Sequence, residues 1–296
     1  MFTTSTRRRL GVALTTAAVA GAVASAVAAP ATAGTAPIRA NDNAVRVVAH
    51  DSASRMYFSV TGTPHAGRIA MHFVNRGRYT HEMSLARLKK DATVAQLRKA
   101  IQQPDGEKAA AKLLVNPDGE ITGPALLGPG LSETVYAPLR AGRYVVICFL
   151  PGPDGMPHAL MGMIAGLRVR SAAGTVAAPH TDGTVRLTNH RIVLPKNFKR
   201  GGTFAVTNTG TRPHDLSLAK LNGKTTLPQL FGCVGQAFAT STVIDKCPGT
   251  LAGGVTDLAP GRTAYLRIAL ARGHYGYVST DGNDFANGLN GTFTVH

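Results

Sequence analysis

Apolar positions in this chain fall in short runs, broken at close intervals by glycine and proline. Val45-Arg-Val-Val-Ala49 is apolar and β-branched. Ile69-Ala-Met-His-Phe-Val74 alternates loosely and ends at Asn75-Arg-Gly77, a turn signal. Glu82–Leu88 alternates well, with Met83, Leu85 and Leu88 on the inward side. Thr134–Ala137 and Tyr144–Phe149 read as strands separated by Arg140-Ala-Gly142, and Leu167–Arg170 reads as another. A helical period interrupts this pattern twice. Thr93-x-x-Gln96 is a capping box followed by Val94, Leu97 and Ile101 on one face. Thr226-x-x-Gln229 repeats it, with Pro228 in the first turn, where a missing N–H costs nothing. Strands at this spacing with Pro/Gly turns predict a Greek-key sandwich.

The pattern occurs twice. Residues 75–88 read NRGRYTHEMSLARL and residues 208–221 read NTGTRPHDLSLAKL. Asn75, Gly77, His81, Ser84, Leu85, Ala86 and Leu88 recur at an offset of 133, and so do Thr93, Gln96 and Leu97. Further on the offset is 131, pairing Pro129-Gly130 with Pro260-Gly261 and Gly142-x-Tyr144 with Gly273-x-Tyr275. The expected fold class is therefore all-β: two tandem Greek-key sandwiches, each with a short helical insertion. Residues 34–171 and 184–296 form the copies. The small, polar stretch 172–183 links them. So short a linker places the two sandwiches side by side.

Residues 1–33 read as a secretory signal peptide. Arg7, Arg8 and Arg9 precede the uncharged, alanine-rich run Leu10–Ala24, and Ala31-Thr-Ala33 is a small-x-small cleavage site. The arginines also resemble a twin-arginine signal. The run is too short and too weakly apolar for a membrane anchor, so no membrane span is expected in the mature form. Formal charge is +16 for the whole chain and about +13 without the leader, split almost evenly between the copies. Such a surface suits an anionic partner, either a redox protein or a cell-wall polymer. Nucleic acid is not expected: Trp is absent, aromatics are 6%, and no zinc-finger or RNA-recognition spacing occurs. Three cysteines exclude a disulfide-dense scaffold.

The chemistry concentrates at the end of the first copy. Cys148, His158 and Met163 lie on one strand–loop–strand segment, and His81 follows the turn after an earlier strand. Two imidazoles, a thiolate and a weak axial thioether are the ligand set of a blue-copper site. With these residues in view, both copies resemble cupredoxins, the plastocyanin and azurin family. The Asn-x-Gly…His turn resembles the family's first histidine. The Tyr-x-x-x-Cys…His-x4-Met segment resembles its copper loop. The resemblance implies one type 1 copper per chain, with His81, Cys148 and His158 as equatorial ligands and Met163 as the axial one. Nine residues separate Cys148 from His158, more than in most small cupredoxins.

The second copy keeps His214, but Ser279, Asp284 and Leu289 stand where Cys148, His158 and Met163 would be. It is expected to hold no metal. Cys233 and Cys247 are expected to form a disulfide in an exported protein, leaving Cys148 as the odd thiol. The reading is a secreted copper protein that carries electrons or handles copper. The alternative is a metal-free binding or adhesion module at the cell surface. An enzyme is not expected: multicopper oxidases need His-x-His pairs, and no two histidines here are separated by one residue.

Overall fold

In a computed structural model, residues 43–51, 55–115, 121–171 and 177–296 are described. The leader and part of the linker lie outside them. The first half runs β1 (Ala44–Asp51), β2 (Met56–Thr61), β3 (Gly67–Asn75), β4 (Ser84–Arg87), α1 (Val94–Ile101), α2 (Gly106–Ala111), β5 (Gly123–Pro124), β6 (Ser132–Leu139), β7 (Gly142–Ile147) and β8 (Ile164–Val169). The second runs β9 (Gly183–Leu187), β10 (Ile192–Val193), β11 (Gly202–Asn208), β12 (His214–Leu221), α3 (Leu227–Ala239), β13 (Gly249–Leu258), β14 (Thr263–Ile268), β15 (Gly273–Val278) and β16 (Asn290–Val295). The chain is all-β, as the alternation implies. Both capping boxes form: Thr93 and Thr226 each accept from the Gln three residues on, and each Gln side chain returns to the cap. The first half's helical insertion holds a second helix, α2, in the alanine-rich run 106–111 that follows Asp105.

Among the described residues the strands form three sheets. The order β10-β9-β11-β14-β6-β3-β1-β2 makes one eight-stranded sheet through both halves. The order β4-β7-β8 covers it in the first half, and β16-β15-β12-β13-β5 covers it in the second. Along β1, β3, β6, β11 and β14 alternate residues point inward. Val45, Val47, Ile69, Met71, Phe73, Val135, Phe204, Val206 and Leu266 are all fully buried. One apolar cluster takes in residues from Val45 to Val295. A smaller one, including Leu88, Leu97, Ala110, Leu114 and Ile147, seats the helices α1 and α2.

The halves join by strand pairing. Antiparallel β6 and β14 pair from Glu133↔Ile268 to Tyr136↔Tyr265, and β5 pairs with β13 through Pro124↔Val255. Counted at the 131 offset, Val135 faces its own counterpart Leu266, and Pro124 faces its counterpart Val255. The register has the self-complementary form of an isologous dimer, here within one chain. The short linker required adjacency; the shared sheet goes further and makes the core continuous.

Glu133 stands at this junction. It is 2% exposed and its Oε2 accepts the Gly254 N–H at 2.6 Å. Gly253 adopts φ 85°, and a Cβ there would collide with the carboxylate, so β13 bends around the acid with glycine. Burial pushes the Glu133 carboxyl well above its usual range, against the backbone N–H groups of Gly254 and Ala125. An acid raised in the folded state stabilises fully below its unfolded pKa, and that stability is lost as pH rises through the folded pKa. We predict that Glu133→Gln removes this loss. The variant should gain on wild type by about 1.4 kcal/mol per pH unit within that window, read from thermal unfolding between pH 4 and 9. Parallel curves would contradict it.

Candidate metal centre

The site grows from the turn after β3. Asn75 is 1% exposed and closes that turn. Its Nδ2 donates to the carbonyls of Tyr79 and Leu127 at 2.7 and 2.8 Å, and its Oδ1 accepts the Gly77 N–H at 2.8 Å. His81 follows, fixed by backbone bonds in both directions with Leu127. Cys148 comes directly after β7. Its N–H donates to the Met163 carbonyl at 3.2 Å, and the Met163 N–H donates to His158 at 3.0 Å. The Cys–His loop therefore closes on itself at both ends.

These bonds bring three ligating atoms together. His81 Nδ1 and His158 Nδ1 are 3.2 Å apart. Cys148 Sγ lies 3.3 Å from His158 Nδ1 and 3.9 Å from His81 Nδ1. Among the described residues this is the one group of three or more His, Cys, Asp or Glu close enough to share an ion. A trigonal ion with bonds of about 2.0 Å to nitrogen and about 2.3 Å to sulfur separates the nitrogens by about 3.5 Å. It separates each nitrogen from sulfur by about 3.8 Å. Each observed spacing lies within about half an ångström of these values. Met163 is fully buried on the same loop. Met161 Sδ instead lies against Gly152.

The protonation chemistry fits a cation. Asp51, at the end of β1, sits with Oδ2 3.2 Å from His81 Nε2. An ionised carboxylate only accepts, so Nε2 carries the proton and Nδ1 presents its lone pair to the cluster. Asp51 also accepts the N–H groups of Arg78 and Tyr79. Burial alone would raise its pKa. The bonds from His81 and from those amides overcome it and hold the carboxyl at about 2. Burial, joined by the neighbouring His81, pushes His158 down to about 3, so its imidazole is neutral and free to ligate. Its Nε2 has no hydrogen-bond partner. Burial pushes the Cys148 thiol well up, and the charges of Glu82 and Asp245 add to this. A metal cation is what such a buried sulfur needs to become a thiolate.

Asp51 was not legible in the sequence. Its counterpart in the second half, Asn189, lies off both repeat offsets. Asn189 Oδ1 sits 3.3 Å from His214 Nε2 and accepts the Thr211 N–H at 2.9 Å. Gly77 explains itself only in three dimensions, since a Cβ there would run into Asp51 and His81 Nε2.

In the second half the same frame holds different groups. Asn208 repeats the bonds of Asn75, reaching Arg212, Leu258 and Gly210. His214 Nδ1 lies 2.6 Å from Asp284 Oδ2, and Ser279 Oγ donates to the same oxygen at 2.5 Å. Arg212 pairs with the other carboxylate oxygen. A carboxylate thus stands beside His214 and Ser279. Cys233 and Cys247 are joined as a disulfide, and Cys148 is free and buried. No helix among the described residues is long and apolar enough to cross a membrane.

No protein-family model and no curated protein matches this sequence. Solved structures similar to it include auracyanin A, titled a "blue" copper protein, from Chloroflexus aurantiacus. It is 20% identical over 43% of this chain and 99% of that one, with a TM-score of 0.28. The auracyanin of Roseiflexus castenholzii is 18% identical over 40% of this chain and 99% of that one, with a TM-score of 0.27. A copper nitrite reductase from Nitrosomonas europaea is 12% identical over 86% of this chain and 94% of that one, with a TM-score of 0.24. At these TM-scores the neighbours carry nothing further, and the case for a metal rests on the three converging atoms.

Gly77→Ala should cost about 2 kcal/mol, because a Cβ must displace the carboxylate that orients His81. Gly232→Ala, on α3 with nothing near its Cβ, should not destabilise. Thermal unfolding of the metal-free proteins checks both; equal melting temperatures would contradict the first.

Proposed function

We propose that this is a secreted copper protein of the cupredoxin type, which carries electrons through one type 1 site in its first half. The observation that carries the proposal is the meeting of His81 Nδ1, His158 Nδ1 and Cys148 Sγ in a fully buried cluster. Soft sulfur with two imidazoles selects copper over harder cations. Bound copper supplies one-electron chemistry. Everything else is the chain's work: Asp51 fixes the His81 tautomer, the loop closure at Met163 holds Cys148 and His158, and burial keeps water away. Met163 is assigned as the weak axial donor. Ligands held before metal arrives need little rearrangement between oxidation states, which is what electron transfer requires. Met156 and Leu160 stand exposed on the loop that bears His158, an apolar rim for a partner within a basic surface that favours an acidic one.

The second half is proposed to be a repeat that has lost its metal site. Its carboxylate cluster, held by His214, Ser279 and Arg212, supports that reading. A serine hydroxyl is a poor copper ligand, and the Asp284 carboxylate is already paired with the Arg212 guanidinium. The disulfide and the arginine-led leader support export.

Mature protein given Cu(II) should turn intensely blue at one copper per chain, and Cys148→Ser should abolish the colour. Met163→Leu should keep the colour and raise the midpoint potential, whereas Met161→Leu should leave it unchanged. His214→Ala should leave the copper content at one. A colourless wild type without bound copper contradicts the proposal and favours the metal-free binding module.

A further inference from the structure

All proposed ligands come from the first half, yet both loops that carry them touch the second. Between α3 and β13, Ser241 to Asp245 leads into the disulfide at Cys247, which ties this segment back to α3 at Cys233. At one end Asp245 grips the turn that bears His81. Its Oδ1 and Oδ2 accept the Thr80 N–H at 2.9 and 3.0 Å, and Oδ1 accepts the Thr80 hydroxyl at 2.7 Å. Thr80 is 4% exposed and immediately precedes the ligand. At the other end the Ser241 carbonyl lies against Gly155, in the middle of the Cys148–His158 loop. A Cβ on Gly155 would sit 2.9 Å from that oxygen, and Gly155 has φ 79°. Five residues of the second half therefore reach both ligand loops. Asp215 in the second half binds the backbone of its own Thr280, as Glu82 binds Phe149. The grip of Asp245 on Thr80 is instead made across the halves.

We propose that residues 241–245 are a strap by which the second half holds the two ligand loops of the first together, with Asp245 as the positioning residue. This rests on the copper reading for its purpose but not for its geometry. It gives the metal-free half a function: it completes the rigidity of a site to which it contributes no ligand. Two Thr80 donors, the N–H shared between both oxygens and the hydroxyl, make charge-assisted bonds to one carboxylate, and their loss frees the residue next to His81 to move. Copper release, and exposure of Cys148 in the metal-free protein, both require that movement.

The test uses the full chain with its disulfide intact. In metal-free protein, the rate at which a thiol reagent labels Cys148, the one free cysteine, is measured for wild type, Asp245→Ala and Thr80→Val. In copper-loaded protein, release to a chelator is measured by decay of the blue band. Asp245→Ala should speed both about tenfold, the equivalent of about 1.4 kcal/mol of lost hold. Thr80→Val, which removes only the hydroxyl bond, should speed both by a smaller factor and with no change of melting temperature. Lys246→Ala, at the next position but outside the grip, should match wild type. Should Asp245→Ala fail to fold, Thr80→Val decides alone. Rates for both variants within twofold of wild type overturn the strap. A wild type that takes up no copper overturns the copper reading instead, and the labelling rate of Thr80→Val, which removes no charge from beside Cys148, still decides the strap.

Discussion

Everything at the site depends on a sulfur that is buried where it cannot ionise alone. Cys148 is fully enclosed, faces two imidazole nitrogens and feels two carboxylates that disfavour a thiolate. Left metal-free, the cluster is frustrated. His81 keeps its proton on Nε2, facing Asp51, His158 is held neutral, and His158 Nε2 is buried without a partner. Buried polar groups seldom stay unsatisfied without a reason. One soft cation among the three atoms would let the thiol ionise and engage both Nδ1 lone pairs, while leaving His158 Nε2 as it is, and the surrounding hydrogen bonds already hold these atoms near the spacing it needs.

The halves show how one frame serves two ends. Asn75 and Asn208 close the same turn, Tyr144 and Tyr275 hydroxyls reach back to Arg140 and Ala271 at 2.9 Å, and Thr93 and Thr226 start the same helix. These bonds hold the sandwich and are common to both. What differs lies inside the frame: two imidazoles and a thiol on one side, and one imidazole, a carboxylate and a hydroxyl on the other. In the second cluster one carboxylate oxygen meets His214 and Ser279 and the other pairs with the Arg212 guanidinium, so that its charge is balanced by the chain itself.

Much of this was legible along the chain. Strand alternation, the two capping boxes and the fixed offsets carry the all-β fold, because each is a local consequence of period, capping and turn chemistry. His81, Cys148 and His158 were legible as a set because their residue types suit one ion and their spacing matches a strand–loop–strand. Asp51, Asn189 and Asp245 were not. Each acts through a contact between distant segments, and nothing in the residues around Asp245 signals Thr80, 165 positions away. The sheet shared through β6 and β14 was hidden for the same reason: edge residues such as Tyr136 and Tyr265 read as ordinary strand positions whichever strand they meet. Sequence periodicity reports which face a residue takes and is silent about its neighbour across the ladder.

The proposed copper site is a cluster preset in the folded chain and lying wholly in its first half. Crystal structures of the metal-free and copper-loaded protein test it most directly. Expected are one copper held by His81 Nδ1, His158 Nδ1 and Cys148 Sγ, none beside Asp284, and ligand atoms displaced by less than about half an ångström from their metal-free positions. Copper bound elsewhere, or a Cys148–His158 loop that refolds to receive it, would contradict it.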